Sequence, residues 1–179
     1  AAGGKRHIAF VAENEEGFNI YHACFGEKDP PKDFQSVPVE SGLLCAGASP
    51  ALFVDATGDA LVGVLAMTGA EPTSCIFLEA SFPAKGQPRT RPGVVNLGYL
   101  SERLVGGAIL YTDSGGVLER REVVVAFEGD QLFKLGPSGE LEPVSVHGTP
   151  TDPILLAPGK KVTYILYRDP SRGLYLEPL

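Results

Sequence analysis

The fold class is decided by one stretch of the sequence, ALFVDATGDALVGVLAM at residues 51–67. Two apolar, β-prone runs in it flank the segment Asp55 to Asp59, whose Asp, Thr and Gly residues favour chain reversal. A third run, Cys75 to Glu79, follows after another turn between Thr68 and Thr73. Because apolar runs of this length separated by turn residues are typical of antiparallel strands, this part of the chain predicts a meander.

The same pattern continues in both directions along the chain. The 22 glycines and 15 prolines are spread over the whole sequence and divide it into short pieces. We expect about fourteen strands at a spacing of ~8–12 residues. One short helix is predicted over Asn96 to Val105, where leucines fall at helical spacing, Asn96 caps the start and Gly106 ends it.

These patterns predict one all-β domain over residues 1–179. A chain of this length buries roughly 70% of its unfolded surface, so that a core forms without disulfides or metal. Many short strands with regular turns are typical of propeller-like four-stranded blades, and equally of a β-sandwich or a barrel. We expect the propeller-like arrangement first and keep the other two as alternatives.

Composition excludes several classes of protein. Hydrophobic residues make up 44% and charged residues 21%, which is a globular balance. The net charge of −7 argues against a nucleic-acid binder, because such proteins usually carry a basic surface. No apolar run approaches the ~18 residues of a membrane span, and residues 1–6 lack an apolar signal-peptide core. We expect a soluble protein that binds no cofactor.

Internal repeats connect the two ends of the chain. Ile8 to Val11 aligns with Val162 to Ile165, and Ile20-Tyr21 aligns with Leu174-Tyr175. A Gly-Lys pair with a further basic residue precedes each copy. The second strands of two weaker inner copies begin at Ile76 and Leu132. These starts are spaced within reach of the ~40–50 residues of a propeller blade.

The residues of these end copies resemble a known family. Residues 153–164, which read PILLAPGKKVTY, and residues 173–176, which read GLYL, resemble a blade of the TolB/WD40-like β-propellers, and residues 4–21 are similar. Blades of that family read Ser-Pro-Asp-Gly-Lys, then an apolar strand, a polar turn and an Ile/Leu-Tyr strand. The resemblance implies four-stranded blades that present loops. In a blade reading, the chain starts on the second strand of one blade and ends on the third strand of another. We therefore expect either a piece of a larger propeller or a different all-β fold.

The cysteines predict a reduced protein without a metal centre. Cys24, Cys45 and Cys75 are an odd number at low density, which argues against a disulfide scaffold and favours an intracellular location. Each lies in or beside an apolar run, so we expect small buried hydrophobes. His22 and Cys24 face the same side of a strand, but two ligands do not make a zinc site. His7 and His147 stand alone in the sequence.

A second resemblance is to the chymotrypsin-like serine proteases. Residues 112–118, which read TDSGGVL, resemble the nucleophile motif Gly-Asp-Ser-Gly-Gly-Pro-Leu of that family. His22-Ala23-Cys24 resembles its histidine motif, and residues 59–62, which read DALV, resemble its aspartate motif. The resemblance implies Ser114 as nucleophile, His22 as general base and Asp59 as its orienting partner. An ordinary hairpin turn explains Asp-Ser-Gly-Gly equally well.

The last feature is a basic, proline-rich loop in an acidic protein. Residues 85–92 read KGQPRTRP and bring Lys85, Arg89 and Arg91 together. Loops on rigid β scaffolds are common contact sites, so these three residues are the candidate contacts for an acidic protein partner. We expect a non-enzymatic interaction or assembly module that presents loops on a rigid scaffold. The alternative is a serine protease with the triad His22, Asp59 and Ser114.

Overall fold

A computed structural model shows an all-β chain and describes residues 4–15, 17–39, 43–45, 50–68, 74–90, 95–99, 104–127, 131–136 and 140–179. Sixteen strands lie within these ranges: β1 (Lys5–Asn14), β2 (Gly17–Gly26), β3 (Gln35–Pro38), β4 (Leu43–Cys45), β5 (Ala51–Val54), β6 (Ala60–Thr68), β7 (Ser74–Phe82), β8 (Arg89–Thr90), β9 (Val95–Tyr99), β10 (Leu104–Ser114), β11 (Val117–Phe127), β12 (Gln131–Leu135), β13 (Leu141–Val144), β14 (Thr151–Pro158), β15 (Thr163–Asp169) and β16 (Gly173–Pro178). Among the described residues, no helix has the length and apolar character needed to cross a membrane.

The strands form four antiparallel sheets that follow one another along the chain. The first sheet has the order β1-β2-β3, the third β10-β11-β12-β13 and the fourth β14-β15-β16. In the second sheet, β6 and β7 are central, β4 and β5 both pair with β6, and β8 and β9 both pair with β7. The all-β prediction is therefore confirmed, and each sheet is built from neighbouring hairpins.

The helix predicted over residues 96–105 is wrong in its described part. Residues 95–99 are strand β9 and pair with β7 through Phe77 and Ile76, and β10 begins at Leu104. The leucine spacing that suggested a helix is a local signal. Here the open edge of β7 offers backbone partners, and tertiary pairing overrides local preference.

The four sheets stack face to face in chain order. Side chains of β2 and β3, among them Phe18 and Ile20, pack against alternate residues of β6 and β7. The opposite face of the second sheet, with Leu65 and Phe77, packs on β11. The other face of the third sheet packs on the fourth, where Tyr167 is fully buried. The core is thus divided into three layers between the sheets.

Burial along the strands follows from this stacking. Residues 61–66 of β6 and 123–127 of β11 are buried without interruption, because both faces of the second and third sheets are covered. In β15 buried and exposed residues alternate, because only one face of the fourth sheet is covered. The two outer sheets therefore each keep one face open.

Candidate functional site

A cleft of about 460 Å³ opens between the first and second sheets, near the start of β1. Its floor comes from β1 and β2, and its walls come from the segment before β3, the β5–β6 turn and the end of β7. The lining side chains that carry chemistry include those of Lys5, His7, His22, Cys24, Asp33 and Thr57.

Three of these side chains form a connected cluster. His7 Nδ1 lies 3.1 Å from His22 Nε2, and His7 Nε2 lies 3.6 Å from Cys24 Sγ. The pairing of β1 with β2 produces this contact, because His7 is opposite Cys24 in the register and Ala9 is opposite His22. The cluster therefore holds a thiol and an imidazole nitrogen within hydrogen-bond reach of each other.

The environment keeps both imidazoles neutral near pH 7. His22 is buried against the ring of Phe82, and this burial, followed by the nearby His7, lowers the pKa of His22 to about 4. Burial and the charge of Lys5 lower the pKa of His7 as well. A neutral imidazole has one nitrogen free to accept a proton, so the cluster contains a base next to the Cys24 thiol.

The cleft wall opposite the cluster is held by hydrogen bonds that two aspartate carboxylates accept. Asp55 Oδ1 accepts from the backbone N–H and the hydroxyl of Thr57 and from the N–H of Asp59. Asp59 Oδ1 accepts from the N–H of Ala84 at 2.8 Å, which ties the β5–β6 turn to the end of β7. Gly58 in this turn has φ of +90°, the left-handed conformation that glycine adopts at least cost.

The triad candidates lie on three separate elements. His22 is on β2 with its ring against His7 and Phe82, Asp59 ends the β5–β6 turn, and Ser114 ends β10. Within the described ranges, no hydrogen bond joins His22, Asp59 and Ser114 to one another. The turn after Ser114 has positive φ at Gly115 and Gly116, which is ordinary hairpin chemistry.

The basic loop is exposed where the structure describes it. Lys85 lies in the loop after β7, and Arg89 begins the short edge strand β8 opposite Ser81. Both side chains are exposed, and neither forms an ion pair with the residues that the structure describes. Arg91 lies outside the described residues.

The cysteine prediction needs a correction at one position. Cys24 is a free thiol and is exposed, not a buried hydrophobe, because it lies near the end of β2 at the open cleft. The side chains of Cys45 and Cys75 lie outside the part of the structure that is described. No group of three or more His, Cys, Asp or Glu side chains among the described residues is arranged to hold a metal ion.

From the sequence alone His7 is not identified as a site residue, because no other candidate residue lies close to it in the sequence. The signal that would have found it was present in the predicted hairpin itself. Counting outward from the polar turn after Asn14 places His7 opposite Cys24, and side chains of directly opposed residues on one face lie close together.

A different feature is found at the two ends of the sheet stack. We call the outer face of the first sheet the front face, which carries Ile8, Phe10 and Phe34 at 36–41% exposure. Phe10 stacks on Tyr21 at 4.9 Å and meets Phe34 edge-on at 5.4 Å between ring centroids. The front face is therefore an aromatic cluster open to solvent.

The outer face of the fourth sheet, here called the rear face, is aliphatic. Leu174 and Leu176 of β16 are 69% and 62% exposed, and Leu155 of β14 is 51% exposed. Leu166 of β15 lies between them in the register, opposite both Leu155 and Leu176. Exposed apolar side chains that are contiguous, as these are, mark interaction sites more often than isolated ones do.

Comparison with known proteins gives no relative for this arrangement. No family model matches the chain, no curated protein matches it, and no solved structure matches it.

Proposed function

We propose that this chain is an assembly module whose rear face binds the front face of a second copy. The observation that carries the proposal is that both ends of the sheet stack present open apolar faces. Burial of apolar surface is the main driving force of protein association, and both of these faces have such surface to bury.

The internal interfaces of the chain support this mode of binding. Each neighbouring pair of sheets packs apolar face against apolar face, as Phe18 and Val62 do between the first and second sheets. The front face repeats this composition with aromatic residues, and the rear face repeats it with leucines. A second copy would extend a stack that the chain already builds three times within itself.

The two open faces are complementary in kind. Along the stack, each sheet meets the next one through its rear side and the preceding one through its front side. The same relation repeated between molecules joins a rear face to a front face, which is a heterologous contact. If two copies closed on each other, the ring would have eight sheets, a number within the range known for propeller-like rings of ~4–8 blades. The propeller-like arrangement thus belongs to this proposal.

The basic loop fits the same role as a second contact. Lys85 and Arg89 are exposed on a chain of net charge −7, so an acidic partner surface is attracted to that loop. This contact would act mainly on the association rate, because exposed charges steer encounters more than they strengthen the bound state.

Sedimentation velocity over a range of concentrations tests the proposal. We expect reversible self-association, and we expect the double substitution Leu174→Lys and Leu176→Lys to abolish it. Val117→Lys is the matched control, because Val117 is 66% exposed in the β10–β11 hairpin and lies on neither end face. A wild-type chain that stays monomeric at concentrations of several hundred micromolar would refute the proposal.

The serine protease with His22, Asp59 and Ser114 stays a prediction. No contact among the described side chains favours it over the assembly role, and a labelling experiment given below tests it.

A further inference from the structure

We propose that Cys24 is a thiol-modification site that forms a mixed disulfide with a small disulfide molecule, and that His7 accepts the thiol proton. The site is the cleft between the first and second sheets, and it is independent of the end faces on which the assembly role rests. The cluster of Cys24, His7 and His22 carries the inference together with the cleft in which it lies.

The first step of the argument is the geometry of proton transfer. Cys24 Sγ and His7 Nε2 are 3.6 Å apart, which is within hydrogen-bond reach for sulfur. For Nε2 to accept the thiol proton, His7 must carry its own proton on Nδ1. That proton then points at His22 Nε2, 3.1 Å away, which accepts it. One set of tautomers thus satisfies both hydrogen bonds, from Cys24 to His7 and from His7 to His22.

His22 acts as the positioning residue, because it holds the ring of His7 through this hydrogen bond. It is only 4% exposed and packs against Phe82, so its ring has little freedom to move. Because burial keeps His22 neutral, its Nε2 remains an acceptor and holds the tautomer of His7. The arrangement has the form of a nucleophile, a base and an orienting group.

Access to the thiol is the second step. Cys24 is exposed and lines the cleft, so a molecule of the size of a small peptide reaches Sγ without a change in the fold. Lys5 and Asp33 place one charge of each sign on the cleft wall. A small disulfide that carries both ammonium and carboxylate groups, such as glutathione disulfide, matches these charges.

The backbone amides of the cleft wall favour a disulfide over an acyl substrate. The N–H groups of Thr57, Gly58 and Ala84 already donate to Asp55 or Asp59. Acyl transfer needs free donors for the oxyanion that develops on the substrate, and these three amides are not free. Attack on a disulfide sulfur develops no such oxyanion, so the cluster suffices for it.

The reaction balances with the disulfide as the oxidant. The proton of the Cys24 thiol passes to His7 Nε2, and the thiolate attacks one sulfur of the small disulfide. A new sulfur–sulfur bond forms to Cys24 and the old one breaks. The departing thiolate takes the proton from His7 and leaves as a thiol. Cys24 is oxidised, one half of the small disulfide is reduced, and His7 returns to its neutral state.

The test measures mixed-disulfide formation at Cys24 in the reduced, full chain with glutathione disulfide as the probe. Peptide mapping by mass spectrometry follows the adduct over time at pH 7, in the folded chain and in the same chain unfolded in urea. We expect Cys24 to react about tenfold or more faster in the folded chain, since a positioned base contributes at least that factor. Equal rates in the two states would overturn the proposal.

Two matched substitutions separate the role of His7 from general effects. His7→Gln removes the proton acceptor, and we expect it to lower the Cys24 rate to that of the unfolded chain. His147→Gln makes the same change at a histidine that lies outside the cleft, pairs with Glu177 of β16 and has a side chain that is 84% exposed. The rate of Cys24 modification should stay unchanged in this variant. A His7→Gln chain that folds and still reacts at the wild-type rate contradicts the proposal. If this variant does not fold, the comparison of folded and unfolded wild-type chains decides alone.

Discussion

Tyr111 on β10 donates a hydrogen bond of 2.6 Å from its hydroxyl to Glu79 Oε1 on β7, and so joins the second sheet to the third. Arg121 on β11 reaches the same carboxylate at 2.8 Å and lies over the ring of Phe77 at 5.7 Å from its centroid. Burial, reinforced by the Glu79 carboxylate, raises the pKa of Tyr111 far above its ordinary value. The hydroxyl therefore stays protonated and remains a donor.

This bond predicts the cost of removing the hydroxyl. Tyr111→Phe leaves the ring in place and takes one donor from the Glu79 carboxylate, whose side chain is only 10% exposed. We expect the free energy of unfolding to fall by about 1–3 kcal/mol, the range for a buried acceptor that loses a partner. Urea denaturation measures the loss. Tyr164→Phe is the control, because Tyr164 is 38% exposed, and it should change stability by less than ~0.5 kcal/mol.

A close approach between the same two sheets predicts a second loss. A Cβ at Gly107 on β10 would lie 2.8 Å from the backbone oxygen of Val124 and 2.5 Å from Leu65 Cδ1. Because backbone cannot yield cheaply, Gly107→Ala should destabilise the chain by about 1–3 kcal/mol, the cost of overpacking. In Gly26→Ala the new Cβ meets only the flexible Asp29 side chain, so thermal unfolding should show a clearly smaller shift.

The role of Ser114 is tested by chemical labelling. Under the assembly role Ser114 is an exposed residue at a hairpin turn, and among the described residues no hydrogen bond joins it to His22, so an active-site-directed fluorophosphonate should not react with the chain. Intact-mass spectrometry after incubation reads the result. Stoichiometric labelling that disappears in both Ser114→Ala and His22→Ala would establish the serine protease instead.

The basic loop predicts a change in binding without a change in folding. Arg89 is exposed, and Arg91 belongs to the same loop by sequence. The double substitution Arg89→Glu and Arg91→Glu should leave the chain folded, with a change in stability of less than ~0.5 kcal/mol at the exposed Arg89. It should weaken binding of an acidic partner at low salt and matter less at high salt, where charges are screened.

Surface plasmon resonance at two salt concentrations measures this effect, with the partner identified by co-purification. Lys160→Glu serves as a control reversal at an exposed lysine in the turn between β14 and β15. Unchanged low-salt affinity in the double variant would show that the loop is only solvated.

The sequence predicts those features of the structure that are fixed by residues close together in the chain. The hairpin 51–67 is predicted correctly because Asp55 and Gly58 fix the turn with their own hydrogen bonds and backbone angle. Pro38 in β3 is a local signal of the same kind, because proline cannot serve a central strand and β3 is an edge strand. Both features depend on a few neighbouring residues.

Features that depend on distant partners are not predicted. Strand β9, which begins at Val95, forms because it pairs with the edge of β7. The residues around Val95 give no local signal from which that pairing could be predicted. The exposure of Cys24 follows from its place near the end of β2 at the open cleft, not from the apolar residues beside it. The contact of His7 with Cys24 is a different case, because it follows from the register of the predicted hairpin, which a shift of one residue would reverse.

The last prediction concerns the pH dependence of stability, through His22. Burial, followed by the nearby His7, lowers the pKa of His22 from 6.5 to about 4 in the folded chain, whereas the unfolded chain titrates near 6.5. Between these values the unfolded state binds the proton and the folded state does not, so stability rises with pH. Lowering the pH from 6.5 to 4 should therefore reduce the free energy of unfolding. Since one pKa unit corresponds to ~1.4 kcal/mol and solvent screens part of the effect, we expect a loss of about 2 kcal/mol. Urea denaturation at intervals across this range measures the slope. His22→Phe, which keeps an aromatic ring against Phe82, should flatten the slope between pH 4 and 6.5. If the His22→Phe chain folds and keeps the wild-type slope, the acid sensitivity does not come from His22, and the neutral state assigned to it at pH 7 is wrong.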